Sequence, residues 1–304
     1  MANREFIKRA KKYLEEIYKP YNNKIYVPMP ETRNLFLPVT IGCSYNKCLY
    51  CGLNKNIRFE KISLEEIEEN LKKLQFITQY NRRKVEKFNL LGGNPLVLET
   101  EYLVEISRLI RKYFPKVKYI SSFSRVDDIL RKSHEELVLL KESKFNRLSL
   151  GIESGSDKIL EFQRKGVTSK DNLAAMRKLE KVKLDYSAYI ILGFGGVEYS
   201  RENAIETARL LNKVHPFELV VVNLVYFPNA PLLEKVRTGE FKRLSPLQSL
   251  EEEYLLLYKL EMENVVFNAT HKNNTIAIKG KLPEHKNIML KEIEKNIKKY
   301  SLKL

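Results

Sequence analysis

The chain of 304 residues has no tryptophan, only three cysteines and only four histidines. It has no run of about 18 uncharged apolar residues, so an ordinary membrane-spanning helix is excluded. Its first residues, MANREFIKRAKKYLEE, mix acids with bases and do not resemble a signal peptide. Three cysteines cannot all pair with one another, so a disulfide framework is excluded too. We therefore expect a globular cytoplasmic protein that does not associate with a membrane.

What the chain has in excess is positive charge. It carries 54 lysines and arginines against 38 acidic residues, a net charge of +16. Residues 1–24 hold seven bases and three acids, and residues 279–304 hold eight and three, so nine of the sixteen excess charges lie in two terminal segments. Such a balance attracts anionic partners. One hypothesis is therefore a basic RNA-binding protein with a structural metal site.

The arrangement of apolar segments favours an α/β fold. Residues 3–18 read as a helix, and the stretch from there to Asn34 reads as an extended connector because it contains three prolines. Short β-rich runs then recur, the first five each followed by a helical pattern: LFLPVTI (35–41), KFNLL (87–91), VKYISSF (117–123), RLSLGIE (147–153), LDYSAYIILG (184–193) and ELVVVNLVYF (218–227). Strands that alternate with helices predict parallel βα units.

Six units predict a partial (βα)6 TIM-like barrel rather than the closed eightfold one. We divide the chain into an N-terminal helix and connector (1–34), the partial barrel (35–244) and a C-terminal helical appendage (245–304). We expect the appendage to close the open edge or the mouth of the barrel.

All three cysteines lie in the stretch CSYNKCLYC, as Cys43, Cys48 and Cys51. The stretch follows the first predicted strand, so it leaves the end of the barrel where active sites gather. In one interpretation, the cysteines hold a structural zinc ion. Such an ion normally takes four protein ligands, and the fourth would be His271, which lies far away in sequence. In the other, three thiolates hold a [4Fe-4S] cluster and leave one iron open for a substrate or cofactor.

Two motifs resemble the radical SAM superfamily. The cysteine loop is similar to its CxxxCxxC motif, with the aromatic Tyr50 before the last cysteine, although the first spacing is one residue longer. GIESGSDKILEFQRKGVT looks like GxESGSxxxLxxxxKGxT of radical SAM proteins related to the Elongator catalytic subunit, methylthiotransferases and oxygen-independent coproporphyrinogen oxidases. The resemblance spans roughly residues 35 to 230.

The resemblance implies a binding site for S-adenosylmethionine (SAM) at the strand ends. LGGNP is similar to the GGEP motif that receives the amino group of SAM, with asparagine in place of glutamate. Ser122 and Ser124 suit a ribose or carboxylate. Glu153 and a following basic residue would contact SAM. The apolar segment from Ile191 to Gly193 would pack on the adenine. The implied cofactor residues are Tyr50, Gly92, Gly93, Asn94, Ser122, Ser124, Glu153, Arg164 (or Lys165), Ile191, Leu192 and Gly193.

The implied function is that of a radical SAM enzyme. SAM bound to the open iron would be cleaved reductively to a 5′-deoxyadenosyl radical, which abstracts hydrogen from an unknown substrate. The implied partners are a low-potential electron donor of the ferredoxin or flavodoxin type and a small-molecule, peptide or tRNA substrate. The segment ATHKNNTIAIKG is predicted to be a surface hairpin, or else a lid. Candidate substrate contacts are His271, Lys272, Asn274, Asn223, Tyr226 and the turn from Asn229 to Leu232.

Overall fold

The computed structural model describes residues 2–21, 34–80 and 84–302. Most of the predicted connector, residues 22–33, lies outside the described residues. The strands are β1 (Leu35–Pro38), β2 (Thr40–Ile41), β3 (Glu60–Lys61), β4 (Lys87–Leu91), β5 (Tyr119–Arg125), β6 (Phe145–Glu153), β7 (Asp185–Leu192), β8 (Glu218–Asn223), β9 (Val265–Ala269) and β10 (Ile278–Leu282).

The helices lie mostly between the strands. They are α1 (Ala2–Tyr18), α2 (Leu64–Tyr80), α3 (Thr100–Tyr113), α4 (Val126–Arg131), α5 (His134–Glu142), α6 (Asp157–Phe162), α7 (Ser169–Lys181), α8 (Gly196–Leu211), α9 (Leu232–Arg237), α10 (Pro246–Lys259) and α11 (Lys286–Ser301). None of these described helices is long and apolar enough to cross a bilayer.

One open sheet organises the fold. Its eight strands lie in the order β1-β4-β5-β6-β7-β8-β9-β10, and every pair from β1 to β9 is parallel. The short strands β2 and β3 pair separately beside it. Parallel sheets bury both faces, and β4 to β8 accordingly carry mostly buried side chains. The predicted partial TIM-like barrel is confirmed, with all six predicted strands present.

The C-terminal segment differs from the predicted helical appendage. Besides α10 and α11 it contributes β9, which pairs parallel with β8, and β10, which pairs antiparallel with β9. The predicted hairpin in this segment is therefore confirmed, but it extends the main sheet. The physical reason is that the Val- and Phe-rich run VVFNA covers the edge of β8, which would otherwise present unpaired backbone groups.

Local signals set several helix starts. Ser63 precedes α2 and accepts a hydrogen bond from the backbone N–H of Glu66 at 3.2 Å, as an N-cap does. Helix α7 is capped by Thr168, whose side chain accepts from the backbone N–H of Asp171. Helix α8 begins at Gly196.

Two adjacent glutamates of α10 are buried against the barrel. Glu252 accepts hydrogen bonds from the backbone N–H of Gly193 (2.9 Å), from Asn203 (2.7 Å) and from Ser200. Burial nevertheless raises the pKa of Glu252 to about 7. One carboxyl oxygen of Glu253 has no hydrogen-bond partner, and burial raises the pKa of Glu253 to about 8. Both carboxyls are therefore poised to hold a proton at neutral pH.

Candidate functional site

A cavity of about 690 Å³ opens where the parallel strands end. Its wall includes residues at or beyond the ends of β1, β4, β5, β6 and β8, so segments distant in sequence meet there. The predicted site residues that line it are Cys43, Cys48, Tyr50, Cys51, Gly92, Gly93, Ser124 and Glu153. The predicted residues that do not line it are Asn94, Ser122, Arg164, Ile191, Leu192 and Gly193.

All three cysteines line this one cavity. Cys48 is buried, while Cys43 and Cys51 are half-buried. Burial raises the pKa of Cys48, against the opposing charges of Lys165 and Arg125, and burial raises the pKa of Cys51 to about 11. A metal that binds these thiols must therefore displace their protons.

The thiols do not form a site for a single ion. Within the described ranges, no group of three His, Cys, Asp or Glu side chains could hold one metal ion. His271 is absent from the cavity wall; its imidazole Nδ1 accepts a hydrogen bond from the backbone N–H of Asn273. The zinc site with His271 as fourth ligand is therefore not formed. Three cysteines beside one cavity suit an iron–sulfur cluster, because each thiolate can bind a different iron.

Gly93 lets the strand end approach the cysteine loop. Its backbone N–H donates to the carbonyl of Gly42 at 2.9 Å. A Cβ added at Gly93 would lie 2.6 Å from Cβ of Cys43 and 2.7 Å from its Cα. Any larger residue would push the first cysteine away, so the small residue fixes the position of that thiol.

Asn94 holds the loop from outside the cavity wall. Its amide nitrogen donates to the hydroxyl of Ser44 at 2.8 Å and to the carboxylate of Asp128 at 3.0 Å. Its amide oxygen accepts from the backbone N–H of Ser44 at 3.1 Å. Burial raises the pKa of Asp128 to about 6. The side chain of Asn94 is thus occupied by structural contacts, and a contact between the backbone of this turn and a cofactor stays a prediction.

A buried ion pair stands opposite the cysteines. Glu153, the last residue of β6, adopts a left-handed backbone (φ +66°), which costs a non-glycine residue about 1–3 kcal/mol. Its Oε1 lies 2.7 Å from Nζ of Lys165, and the two side chains are 11% and 4% exposed. The hydroxyl of Tyr50 donates to the same Oε1 at 3.1 Å. Burial and the negative charge of Glu153 raise the pKa of Tyr50, which keeps this donor protonated.

Of the two adjacent basic residues that follow Glu153, Lys165 lines the cavity and Arg164 does not. Arg164 has a left-handed backbone (φ +52°) and an exposed side chain. Its carbonyl accepts a hydrogen bond from the hydroxyl of Tyr45 at 2.9 Å. Gly166 makes room for that ring, since a Cβ there would lie 2.4 Å from the Tyr45 hydroxyl oxygen, and its own φ of +78° favours glycine.

The remaining predicted contacts lie at or behind the cavity wall. Ser124 lines the cavity, whereas Ser122 is fully buried and donates its hydroxyl to the carbonyl of Phe123. Ile191 packs in a small apolar cluster with Leu49 and Tyr50, under the cysteine loop. Leu192 belongs to the main core, and Gly193 donates its N–H to Glu252. A contact between this segment and adenine stays a prediction.

Of the candidate substrate contacts, Asn229 lines the cavity. Its side-chain amide donates to the carbonyl of Gly52 at 2.8 Å, which ties the loop after β8 to the end of the cysteine loop. Asn223 and Asn274 are hydrogen-bonded to each other instead: the backbone N–H of Asn223 donates to Oδ1 of Asn274 at 2.9 Å. Lys272 is exposed, and Tyr226 packs under the guanidinium of Arg243.

The sequence analysis missed Arg125, the last residue of β5. Its side chain is 7% exposed, lines the cavity and lies 3.8 Å from the sulfur of Cys48. The signal that could have found it is a charged residue at the end of a run of small and apolar residues, ISSFSR, directly before a helix.

The chain is similar to several known proteins. It is 24% identical over 229 residues to the heme chaperone HemW of Bacillus subtilis, which covers 72% of this chain and 58% of HemW. It is 23% identical over 325 aligned residues to a tRNA-2-methylthio-N(6)-dimethylallyladenosine synthase of Sulfurihydrogenibium sp., covering 97% of this chain and 71% of the synthase. The chain thus spans little more than half the length of HemW.

In fold, the chain is similar to the archaeal Methanocaldococcus infernus Elp3, with a TM-score of 0.56 and 15% identity over 86% of this chain and 63% of that one. The profile of the Radical SAM superfamily matches residues 37–211. That match contains the cysteine loop, the two glycines and the Glu153–Lys165 pair. Because it covers more than half of the chain, this protein belongs to the radical SAM superfamily of enzymes, which use a [4Fe-4S] cluster and SAM.

Proposed function

We propose that this enzyme binds a [4Fe-4S] cluster through Cys43, Cys48 and Cys51, and binds SAM in the cavity beside it. The observation that carries the proposal is that all three thiols line one cavity. With three protein donors, one iron is left for an exchangeable ligand. When bound, the cluster and SAM supply a one-electron cleavage that releases methionine and a 5′-deoxyadenosyl radical, which takes hydrogen from a substrate carbon.

The residues of the cavity wall bind and orient the SAM-like ligand. Lys165 and Glu153 present one ammonium and one carboxylate, complementary to the carboxylate and the hydroxyl or amino groups of a SAM-like ligand. The hydroxyl of Ser124 lies in the same wall. The pair is held in place before any ligand arrives, because Tyr50 donates to it from the cysteine loop.

The same cavity has an apolar side that can exclude water. Phe123, Tyr189 and Phe227 contribute to its wall. A radical intermediate must be shielded from side reactions, so a partly apolar cavity suits this chemistry. Its volume of about 690 Å³ lies within the range of small-molecule sites.

The substrate is proposed only by class: a small molecule, a peptide or a tRNA. The electron comes from a low-potential donor of the ferredoxin or flavodoxin type. The reducing cytoplasm is the compartment we propose, because there the thiols stay available for iron.

The test is anaerobic reconstitution followed by iron and sulfide analysis. We expect about four irons per chain, a visible absorption that dithionite bleaches, and 5′-deoxyadenosine after SAM and dithionite are added. Replacing Cys43, Cys48 or Cys51 with alanine should abolish both the iron and the product. Lys47→Ala, at an exposed position beside Cys48, is the matched control and should keep both.

Zinc in place of iron would refute the proposal and favour a structural metal. So would iron that survives in all three cysteine variants.

A further inference from the structure

Arg125 is a buried cation in contact with the cysteine loop. Its Nη1 lies 3.8 Å from the sulfur of Cys48, and its Nη2 donates to the carbonyl of Lys165 at 2.9 Å. Its Nε donates to Oδ1 of Asp127 at 2.8 Å. Three of its nitrogens therefore have separate partners, and one of those partners is a thiol.

The guanidinium is also fixed from one face. It lies over the ring of Tyr45, with Cζ 3.9 Å from the ring centroid. Tyr45 is itself held by its hydrogen bond to Arg164. A cation stacked on an aromatic ring and bonded in its own plane has little freedom to turn away from the sulfur.

The charges around Arg125 leave its positive charge only partly compensated. Asp127 is 30% exposed and also binds Arg131, an exposed residue. Asp128 accepts from the backbone N–H of Arg125 and from Asn94. Glu153 is paired with Lys165. On the side that faces Cys48, the guanidinium thus contacts a thiol and, among the described residues, no carboxylate. Arg125 itself stays protonated at any ordinary pH.

A positive charge at a ligand sulfur favours the reduced state of a cluster. Reduction adds one electron, and hydrogen bonds and positive charge near the sulfurs raise the reduction potential. In a buried place this charge is screened less than at the surface.

We propose that the positive charge of Arg125, beside the Cys48 thiolate, raises the reduction potential of the bound cluster and so favours electron uptake. Arg125 acts through Cys48 and is therefore a positioning residue. This inference rests on the proposed function. It adds a role that neither the motifs nor the family match assigns to this side chain.

The experiment compares three full-length variants after anaerobic reconstitution: Arg125→Gln, Arg125→Lys and Arg131→Gln. The midpoint potential of the cluster is measured by redox titration, followed by electron paramagnetic resonance, without SAM and then with it. Arg125→Gln should make the reduction equilibrium about tenfold less favourable without SAM, a shift of about 59 mV to lower potential for one electron. Arg125→Lys should keep most of the wild-type potential. Arg131→Gln, which removes the exposed partner of the same Asp127, should match the wild type.

Several results would overturn the inference. They are an unchanged potential in Arg125→Gln, an equal shift in Arg125→Lys, or a shift that appears only when SAM is present. If Arg125→Gln loses the cluster and Arg125→Lys keeps it, the cluster needs the positive charge at this position. If both variants lose the cluster, the packing of the arginine side chain rather than its charge is what matters, and the inference is overturned. The wild-type iron content separates the two proposals: without a cluster both fail, and with a cluster but no shift only the role of Arg125 fails.

Discussion

The pair of Glu153 and Lys165 allows a quantitative test of how the cavity is built. Both side chains are almost fully buried, and their charged atoms are 2.7 Å apart. Removing one member of a buried pair leaves an uncompensated charge and costs about 3–5 kcal/mol. Because the pair borders a cavity that water can enter, we expect the lower end, about 3 kcal/mol, for Glu153→Gln or Lys165→Met.

The double variant Glu153→Gln with Lys165→Met should cost much less than the sum of the two single changes, because no charge is then left unpaired. We expect a coupling energy of about 2 kcal/mol, within the range for groups in contact. The assay is urea denaturation of the cluster-free protein under anaerobic, reducing conditions, which measures the free energy of unfolding.

An exposed pair gives the matched control. Arg209 and Glu206 on α8 are 63% and 32% exposed, so the same cycle there should give less than about 1 kcal/mol. If the coupling between Glu153 and Lys165 falls below about 0.5 kcal/mol, the two groups do not act as one unit and the argument from burial is wrong.

Three further predictions concern single positions. Gly93→Ala should lower the iron bound per chain several-fold, since the methyl group meets the first cysteine at 2.6 Å; Gly239→Ala, which strains the backbone (φ +80°) but places its Cβ within 4 Å of nothing, should keep full iron content. Gly166→Ala should displace the ring of Tyr45 and lower the thermal stability of the reconstituted protein by several degrees, and unchanged stability would contradict the packing described. Burial raises the pKa of Glu253 from its ordinary value of 4.5 to about 8, so between these values the folded protein holds a proton that the unfolded chain loses. Its burial therefore makes stability fall as pH rises through that interval, by roughly 1.4 kcal/mol per unit. Glu253→Gln should flatten the measured slope, and an unchanged slope would refute the assignment.

The sequence predicts the framework of the site well because the signals are local. Strands that alternate with capped helices give the parallel sheet, and side chains after consecutive parallel strands must meet at one edge. The cysteine loop, Gly93 and Glu153 meet there for that reason alone.

What the sequence does not reveal is which neighbour faces inward. Arg164 and Lys165 are adjacent, and it is Lys165, paired with Glu153 from the end of β6, that enters the wall. The side chain of Asn94 bonds to Asp128 on α4, a contact that the local sequence does not show. Such choices depend on contacts between residues far apart in the chain, so a local pattern cannot carry them.

The strands β9 and β10 show the same limit at a larger scale. The tail of the chain is predicted to hold a hairpin, but its sequence does not reveal that β9 pairs with β8, which ends more than forty residues earlier. The tail therefore completes the sheet edge.

The longer spacing between the first two cysteines is the one departure from the family motif in the loop itself, and the structure offers a physical account of it. Asn46, inside that spacing, has a left-handed backbone (φ +47°), a conformation that asparagine tolerates better than most residues. Its side-chain amide donates to the carbonyl of Asn54 at 2.7 Å, and its own carbonyl accepts from Nζ of Lys55 at 2.8 Å. The added length is thereby held in a turn.

Beyond that turn, the loop is fastened to other parts of the barrel. The backbone N–H of Leu49 donates to the carbonyl of Gln163, and the carbonyl of Leu49 accepts from the N–H of Leu232, both at 2.9 Å. These bonds order the chain between the second and third cysteines before any metal arrives. Since ordering a loop costs conformational entropy, a loop already ordered by the barrel leaves more of the free energy of thiolate–iron bonding to hold the cluster. An extra residue in the spacing is thus compatible with one shared centre for the three thiols.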